Sequence, residues 1–446
     1  MKWLISKFNA HKEKTAIIYN DKEFSYAQLT DKINEYINYL RHNSISPGST
    51  VLLSSNFSFN SIAFFLANAI NSNIIALVEN KSSLDLENIA RDSYSDYIFT
   101  LGEDITIGHK IQQPKHKLID QLQSNSKAGL ILFSSGTTGV PKIMLHDLSL
   151  MISNYKSDSV KDINSLILMG FDHIGGVDSL FRLLSICATI TLSESRNPDD
   201  ICRIIEKYRV QVLPATPTFF NLLILSEVYK KYELSSVNII GYGAEPMPDI
   251  LLNKIRAVFP SAKIQQKFGT TETNAIKIYN NPGDEQYFQI KDEKVEYKIV
   301  NNELWLKSKN NMVGYLNIDN QPFIEGNWIN TGDLVHVRED GYIKILGRKK
   351  EVINVGGEKV LPVEVENYLL KHPHVDDCKV YGIPNLLTGS AVGADIVLKK
   401  DAPENIKSEI IKFCKLGLPT YKIPVKLKFV DSIELSSRQK KIRNND

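Results

Sequence analysis

The chain has little sulfur to build with. Only Cys187, Cys202, Cys378 and Cys414 stand among 446 residues. They form no CxxC pair, and no Cys/His cluster has zinc-ligand spacing, which argues against a disulfide scaffold and a structural zinc. The thiols are expected to be free and buried or half-buried, as in a reducing cytosol. An excess of one charge is also missing. The 53 basic and 51 acidic residues leave a formal net charge of +2, which gives no electrostatic reason to expect nucleic acid or a membrane surface as partner. Long hydrophobic runs are lacking too. The most apolar stretch, Ile62 to Val78, is broken by Asn68, Asn71, Ser72 and Asn73, too polar to cross a bilayer. The N-terminal MKWLISKFNAHKEK has too short an apolar run for a signal sequence, and no small-residue cleavage site follows. A soluble cytoplasmic protein is expected. A hydrophobic content of 43% at this length is ample for one large core plus a second domain.

Apolar spacing alternates between the two regular periods along the first half. Leu29, Ile33, Tyr36, Ile37 and Leu40 share one face of a helix predicted over Tyr26 to Asn43. Ile62 to Ile70 reads as a helix. Ser49 to Ser54, Ile74 to Val78, Leu130 to Phe133, Leu166 to Met169, Val210 to Leu213 and Val237 to Ile240 read as strands. That alternation predicts an α/β architecture with mainly parallel sheets and flanking helices. Met312 to Gly347 changes character, with Gly, Asn, Asp and aromatics marking short strands and tight turns. The charged run Arg348-Lys349-Lys350-Glu351 is a natural boundary. It divides a large domain, 1–347, from a small α+β domain, 348–446, with a helix from Pro362 to Leu370 and a βαβ-like remainder.

The sharpest local feature is Ser134-Ser135-Gly136-Thr137-Thr138-Gly139-Val140-Pro141-Lys142, directly after a buried strand. Two glycines let the backbone curl so that its N–H groups face an anion. Four hydroxyls and Lys142 complete a grip suited to polyphosphate. It is not a Walker A loop, because the glycines are too close and Ile143 follows the lysine. Nor is Gly241-Tyr242-Gly243 a dinucleotide fingerprint, since no third glycine follows at the needed spacing.

These residues resemble the signature of the adenylate-forming, or AMP-binding, superfamily, which includes acyl- and aryl-CoA synthetases. Further motifs follow in that family's order: Phe268-Gly269-Thr270-Thr271-Glu272, Asn302-Glu303-Leu304-Trp305 with Asn302 in place of a glycine, Thr331-Gly332-Asp333, Gly347-Arg348-Lys349-Lys350-Glu351, and Gly356-Gly357-Glu358 onward. The resemblance implies a large domain with parallel sheets and a distorted barrel, and a small mobile C-terminal domain. It implies that Ser134, Ser135, Gly136, Thr137, Thr138, Gly139 and Lys142 hold the phosphates of ATP, with Glu272 on Mg²⁺. Gly243, Ala244 and Glu245 would line the adenine site, Phe268 would stack on the base, and Gly269, Thr270 and Thr271 would flank it. Asp333 would accept hydrogen bonds from the ribose diol, as a carboxylate suits. Arg348 would add a ribose or phosphate contact. Lys350 would be the hinge on which the small domain swings, and Gly356-Gly357 would flank a thiol tunnel. The catalytic lysine is placed at Lys440, with Arg443 at the family's spacing. The family's proline and glycine are replaced there by Glu434 and Gln439, and Lys441 is a rival.

The implied function is ATP-dependent activation of a small carboxylic acid as acyl-AMP and transfer to a pantetheine thiol, of coenzyme A or of an acyl carrier protein. Phe171-Asp172-His173-Ile174-Gly175-Gly176 falls on the family's substrate-side motif. His173 fits a fatty or aryl acid; Asp172 in another register fits an amino acid, or simply caps the helix starting near Gly176. Tyr242, Asn274 and Ala275 are the other expected pocket residues. The alternatives are a stand-alone enzyme loading an amino or aryl acid onto a carrier protein, and a non-catalytic relative that binds nucleotide.

Overall fold

A computed structural model describes residues 1–79, 82–102, 105–108, 111, 113–134, 141–318, 323–324, 326–436 and 441. Among the described residues, three large sheets and a two-stranded hairpin build the N-terminal part. One has six parallel strands, in the order Lys263–Gln266, Ile239–Tyr242, Val212–Ala215, Asn164–Ile167, Thr189–Leu192 and Thr15–Tyr19, with Lys22–Ser25 antiparallel at the edge. The second centres on Thr50–Ser54, flanked in parallel by Ile74–Val78 and Tyr97–Leu101. Gly129–Ser134 lies parallel to Ile74–Val78, and Lys142–Asp147 then returns antiparallel beside it. The central strands are buried throughout, which is why they read as continuous apolar runs rather than alternating ones. Helices Tyr26–His42 and Phe59–Ile70 start on Ser25 and Ser58, each accepting a backbone N–H in a capping box. They lie against each other and add to a single large core.

The third sheet is antiparallel and open, half of a barrel. Its order is Ile278–Asn281, Asp284–Ile290, Ile343–Arg348, Trp328–Val337, Glu303–Ser308 and Val295–Val300. Asn302 stands where the family has glycine, and the reason is local. Asn301 and Asn302 form the two-residue turn between the last two strands, with φ of 52° and 62°. Asparagine tolerates the left-handed region far better than other side chains.

The C-terminal part has its own core, drawn from Ile353 onward. Val375–Asn385 and Gly389–Leu398 form a long antiparallel hairpin, so the remainder does not begin as βαβ. The βαβ unit comes later: Gly389–Leu398, helix Ile406–Gly417, then Lys426–Phe429 in parallel. Helix Pro362–Leu369 ends one residue before the expected bound. Elsewhere the strand bounds shift by up to two residues from those expected. All four cysteines are buried, and none is in a disulfide. Among the described residues no helix is long and apolar enough to cross a membrane.

Candidate active site

Ser134, half-buried, ends its strand opposite Lys142, so the glycine-rich segment links two antiparallel strands. Ser135, Gly136, Thr137, Thr138 and Gly139 lie outside the described residues. The returning end is anchored: Asn317 Nδ2 donates to the Pro141 carbonyl at 2.7 Å, and Asn317 Oδ1 accepts the Ile143 N–H at 3.0 Å. Gly314–Tyr315 then pairs as a short strand with Lys142–Asp147, Tyr315 opposite Met144. Two functional groups meet through this segment. Lys142 Nζ lies 5.2 Å from the Tyr315 ring centroid, and the Tyr315 hydroxyl donates to Glu272 Oε1 at 3.1 Å. Burial and then the Glu272 charge push the Tyr315 phenol up, keeping it a donor. Neither Tyr315 nor Asn317 belongs to a motif, so no sequence signal pointed to them.

Glu272 sits at the tip of a tight hairpin, Phe268–Thr270 against Asn274–Ile276. Thr270 and Thr273 close the turn from inside: their hydroxyls are 3.0 Å apart, and Thr270 Oγ1 accepts the Thr273 N–H at 3.1 Å. Gly269 is required by packing, because a Cβ there would sit 2.4 Å from the Asn274 carbonyl oxygen. Thr271 is half-buried beside Glu272. Phe268 stacks on Phe288, centroids 5.2 Å apart at 28°, leaving at most one ring face for a base. Asn274 is buried and donates to the Asn310 carbonyl, whereas Ala275 is exposed.

Asp333 is 4% exposed and faces Arg348 across the barrel strands. Arg348 Nε is 2.8 Å from Asp333 Oδ1, and its Nη1 donates to the Thr331 carbonyl at 2.8 Å. The Thr331 hydroxyl accepts the Asp333 N–H at 3.1 Å. Burial pushes the Asp333 carboxyl above its ordinary 3.8, against the pull of Arg348 and Thr331; Glu272 and Glu351 push the same way as burial. Next along the chain, Lys349 pairs with Glu303 at 2.6 Å, and Asn330 Nδ2 donates to the same carboxylate at 2.8 Å. Lys350 is exposed in the single helical turn Lys349–Glu351.

The raised Asp333 value has a signed consequence. Its ionised form costs stability above the shifted pKa, a cost relieved as pH falls through it. If the Asp333 carboxylate accepts from the ribose diol, as the resemblance implies, ATP affinity is expected to fall on acidification at a higher pH than an ordinary aspartate would dictate. Asp333→Asn should bind ATP weakly and lose that dependence. Equilibrium titration over about pH 4–7 would check this; an unchanged slope in the variant would remove Asp333 from nucleotide recognition.

His173 caps the helix Ile174–Ser185, its Nδ1 accepting the Gly175 N–H at 3.0 Å. The helix therefore starts earlier than expected, and its cap is His173, not Asp172. Asp172 instead approaches Gly170, near Glu79 and Arg196: a Cβ on Gly170 would lie 2.7 Å from Asp172 Oδ1. Phe171 stacks on Phe57 and belongs to the core. Gly243 passes so close to Lys267 that a Cβ would be 2.8 Å from its carbonyl oxygen. Ala244 turns the chain at φ 69°, and Glu245 is directed to the preceding helix, Pro217–Ser226, where it accepts the Thr218 hydroxyl at 2.8 Å. Tyr242 is placed differently from the expected pocket lining. Its ring is 1% exposed and its hydroxyl donates to the Glu285 carbonyl at 2.7 Å. It borders a cavity of roughly 350 Å³ between the parallel sheet, the barrel and helix Pro362–Leu369, whose walls include neither His173 nor Asn274.

Lys440 lies outside the described residues, but the rival can be judged. Lys441 Nζ is 2.7 Å from Asp377 Oδ1 and donates to the Cys378 carbonyl at 2.6 Å. Burial works against the ammonium, yet Asp377, Glu366 and Cys378 outweigh it and raise its pKa. Lys441 also bridges Leu435. Its charge is committed inside the C-terminal part. Gly356 and Gly357 form the exposed turn between Ile353–Val355 and Glu358–Val360, with φ of 59° and 97° that exclude most side chains.

The AMP-binding enzyme family matches residues 6–318, and the AMP-binding enzyme C-terminal domain matches residues 364–440. The 2-succinylbenzoate–CoA ligase of Bacillus pumilus (strain SAFR-032) is 26% identical over 475 residues, covering 98% of this chain and 96% of that protein. Two solved structures share the fold. An anthranilate CoA ligase, AuaEII, in complex with anthranoyl-AMP superposes with a TM-score of 0.83 at 21% identity, over 99% of this chain and 95% of that one. The amide bond synthetase McbA from Marinactinospora thermotolerans gives 0.78 at 21% identity, over 97% and 96%. The chain belongs to the family of AMP-binding enzymes.

Proposed function

We propose that this enzyme activates a small carboxylic acid with ATP and passes the acyl group to the thiol of coenzyme A. The observation that carries the reading is the meeting of Lys142 and Glu272, from separate sheets, on the side chain of Tyr315. The relatives named CoA ligases support the choice of acceptor. An acyl carrier protein offers the same pantetheine thiol and is the second acceptor to test. The same reading makes it a two-domain cytoplasmic protein, with 1–347 and 348–446 meeting at Lys350.

The residues present fit Mg²⁺. Among the described residues no cluster of three or more His, Cys, Asp or Glu side chains could hold a metal. Glu272 alone has one oxygen engaged by Tyr315. A single carboxylate plus substrate phosphates is how this cation is usually held, and bound there it would neutralise phosphate charge. Lys142 and the hydroxyls of the preceding loop hold the outer phosphates. Asp333 and Arg348 fix the ribose end. Lys440 bridges the substrate carboxylate and the α-phosphate, where charge builds as a carboxylate oxygen attacks phosphorus and pyrophosphate leaves. In the second step the thiol sulfur attacks the acyl carbon, its proton is lost, and AMP departs. Rotation about Lys350 brings Gly356-Gly357 to that thiol.

Pyrophosphate release with MgATP and a broad acid panel, followed by thioester detection with CoA, tests the proposal. Acid-dependent pyrophosphate and acyl-CoA are the expected products; ATP binding with no turnover on any acid would instead favour a nucleotide-binding relative without catalysis. Glu272→Gln is expected to slow pyrophosphate release about a hundredfold, with partial rescue by raised Mg²⁺. Unchanged turnover in that variant would displace Glu272 from the metal.

A further inference from the structure

The tip of the long C-terminal hairpin is apolar, where hairpin turns ordinarily carry Gly, Asn, Asp or Ser. Asn385 pairs with Gly389, so Leu386, Leu387 and Thr388 form the turn. Leu386 and Leu387 are 106% and 95% exposed, whereas Leu84, Leu416 and Val425, the other large apolar side chains more than two-thirds exposed among the described residues, stand singly in the sequence. The turn itself is held by its polar neighbours. Asn385 Oδ1 accepts the Leu387 N–H at 2.9 Å and the Thr388 N–H at 3.1 Å, and the Thr388 hydroxyl donates to the Ser390 carbonyl at 2.7 Å. The two leucine side chains bury nothing in this arrangement.

This tip is joined to the Gly356-Gly357 turn. The Gly356 N–H donates to the Thr388 carbonyl at 2.9 Å. A Cβ on Gly356 would lie 3.4 Å from Thr388 Cγ2, and Val355 pairs with Gly389. Both turns therefore belong to one sheet, ordered Glu358–Val360, Ile353–Val355, Gly389–Leu398, Val375–Asn385. That sheet begins at Ile353, just past Lys350. The residues just before Lys350 are held by the barrel, Arg348 by Asp333 and Lys349 by Glu303. A rotation at Lys350 moves the two turns as one body. In the structure the glycine turn stands in open space, since a Cβ on Gly357 would meet nothing within 4 Å.

We propose that Leu386 and Leu387 dock on the large domain when the small domain swings to its thiol-transfer pose, and that their burial there holds that pose. This rests on the ligase reading, in which rotation carries Gly356-Gly357 to the thiol. The leucine tip travels with the glycine turn, so it reaches the large domain beside the same site. Side chains exposed in one pose and covered in the other favour the second by the apolar area removed from water. Such a differential contact is what a shift between two poses requires. The leucines are positioning residues, with no part in the bond changes.

The two half-reactions test this, using the acid that gives most pyrophosphate with MgATP. With Leu386→Ser and Leu387→Ser combined, acyl-AMP formation is expected to stay within about twofold of wild type, while thioester formation from supplied acyl-AMP and CoA falls at least about tenfold. Leu386→Met with Leu387→Met should keep most of the thioester rate, because the tip stays apolar. The melting temperature should not fall in either variant, since both positions are exposed. A second readout needs no turnover. The four native cysteines are buried, so Leu387→Cys can be labelled selectively with an environment-sensitive dye. Its emission should shift to the blue on adding acyl-AMP with a CoA analogue that lacks the thiol. Wild-type rates in both half-reactions of the serine variant, with dye emission that does not move, would overturn the inference and leave the ligase reading intact. So would a concentration-dependent dimer that the serine variant loses while keeping both half-reactions. No pyrophosphate with any acid would overturn the ligase reading itself.

Discussion

Lys440→Ala is expected to lower the rate of acyl-AMP formation by about a thousandfold while leaving thioester formation from supplied acyl-AMP close to wild type. The asymmetry follows from the charge distribution. In adenylation, negative charge from a carboxylate and a triphosphate meets at one phosphorus, and a single well-placed cation there contributes on the order of 10²–10³ in rate. In thiol transfer the acyl group is already activated, and that lysine has no developing charge to stabilise. The check is two assays on one preparation: pyrophosphate release with acid and MgATP, and thioester yield from chemically made acyl-AMP. Equal loss in both assays would remove Lys440 from the adenylation step.

Lys441→Ala is expected to do something different, although the residue is adjacent. Its ammonium is held by Asp377 and the Cys378 carbonyl, with only 13% and 11% of the two side chains exposed. Removing one member of a buried pair leaves the other charged and unpaired, which costs roughly 3–5 kcal/mol. For a unit of about a hundred residues such a loss lowers the melting point by ten degrees or more. The pair Lys441→Met with Asp377→Leu should recover much of the stability, because no lone charge is then left inside. The raised Lys441 pKa sets the pH range: its contribution is complete below the ordinary 10.5 and fades only as pH rises past it. Thermal or urea unfolding near neutral pH measures the change. A Lys441→Ala protein of wild-type stability that cannot adenylate would reverse the roles of the two lysines.

These two predictions mark how far sequence spacing could be followed. Spacing placed both lysines near the catalytic position and could not separate them. What separates them is Asp377, more than sixty residues away, at the start of a long hairpin. The same holds for Glu272 and Lys142. Their motifs were legible, but Tyr315, which touches both, stands in none. Helix Tyr26–His42 and the strand Ile74–Val78 were legible because burial imposes period 3.6 on one and a continuous apolar run on the other. The C-terminal hairpin was misread, because its Val375–Asn385 strand is buried over most of its length on both faces and so lacks the alternation that marks an antiparallel pair. Capping was one of the readings open for Asp172, and it fell to His173, a choice made by where the chain turns.

By itself the sequence determined membership of the AMP-binding enzymes, since the motifs that carry the resemblance are short, and short motifs are local. It determined the mainly parallel α/β body as well, through the burial pattern of its strands. Only the tertiary structure decided which lysine is committed to a buried carboxylate, and that Tyr242 faces the core. The physical reason is the same in each case. Burial and electrostatic pairing depend on distance in space, and residues as far apart in the chain as Asp377 and Lys441 become neighbours only when the elements that carry them pack together.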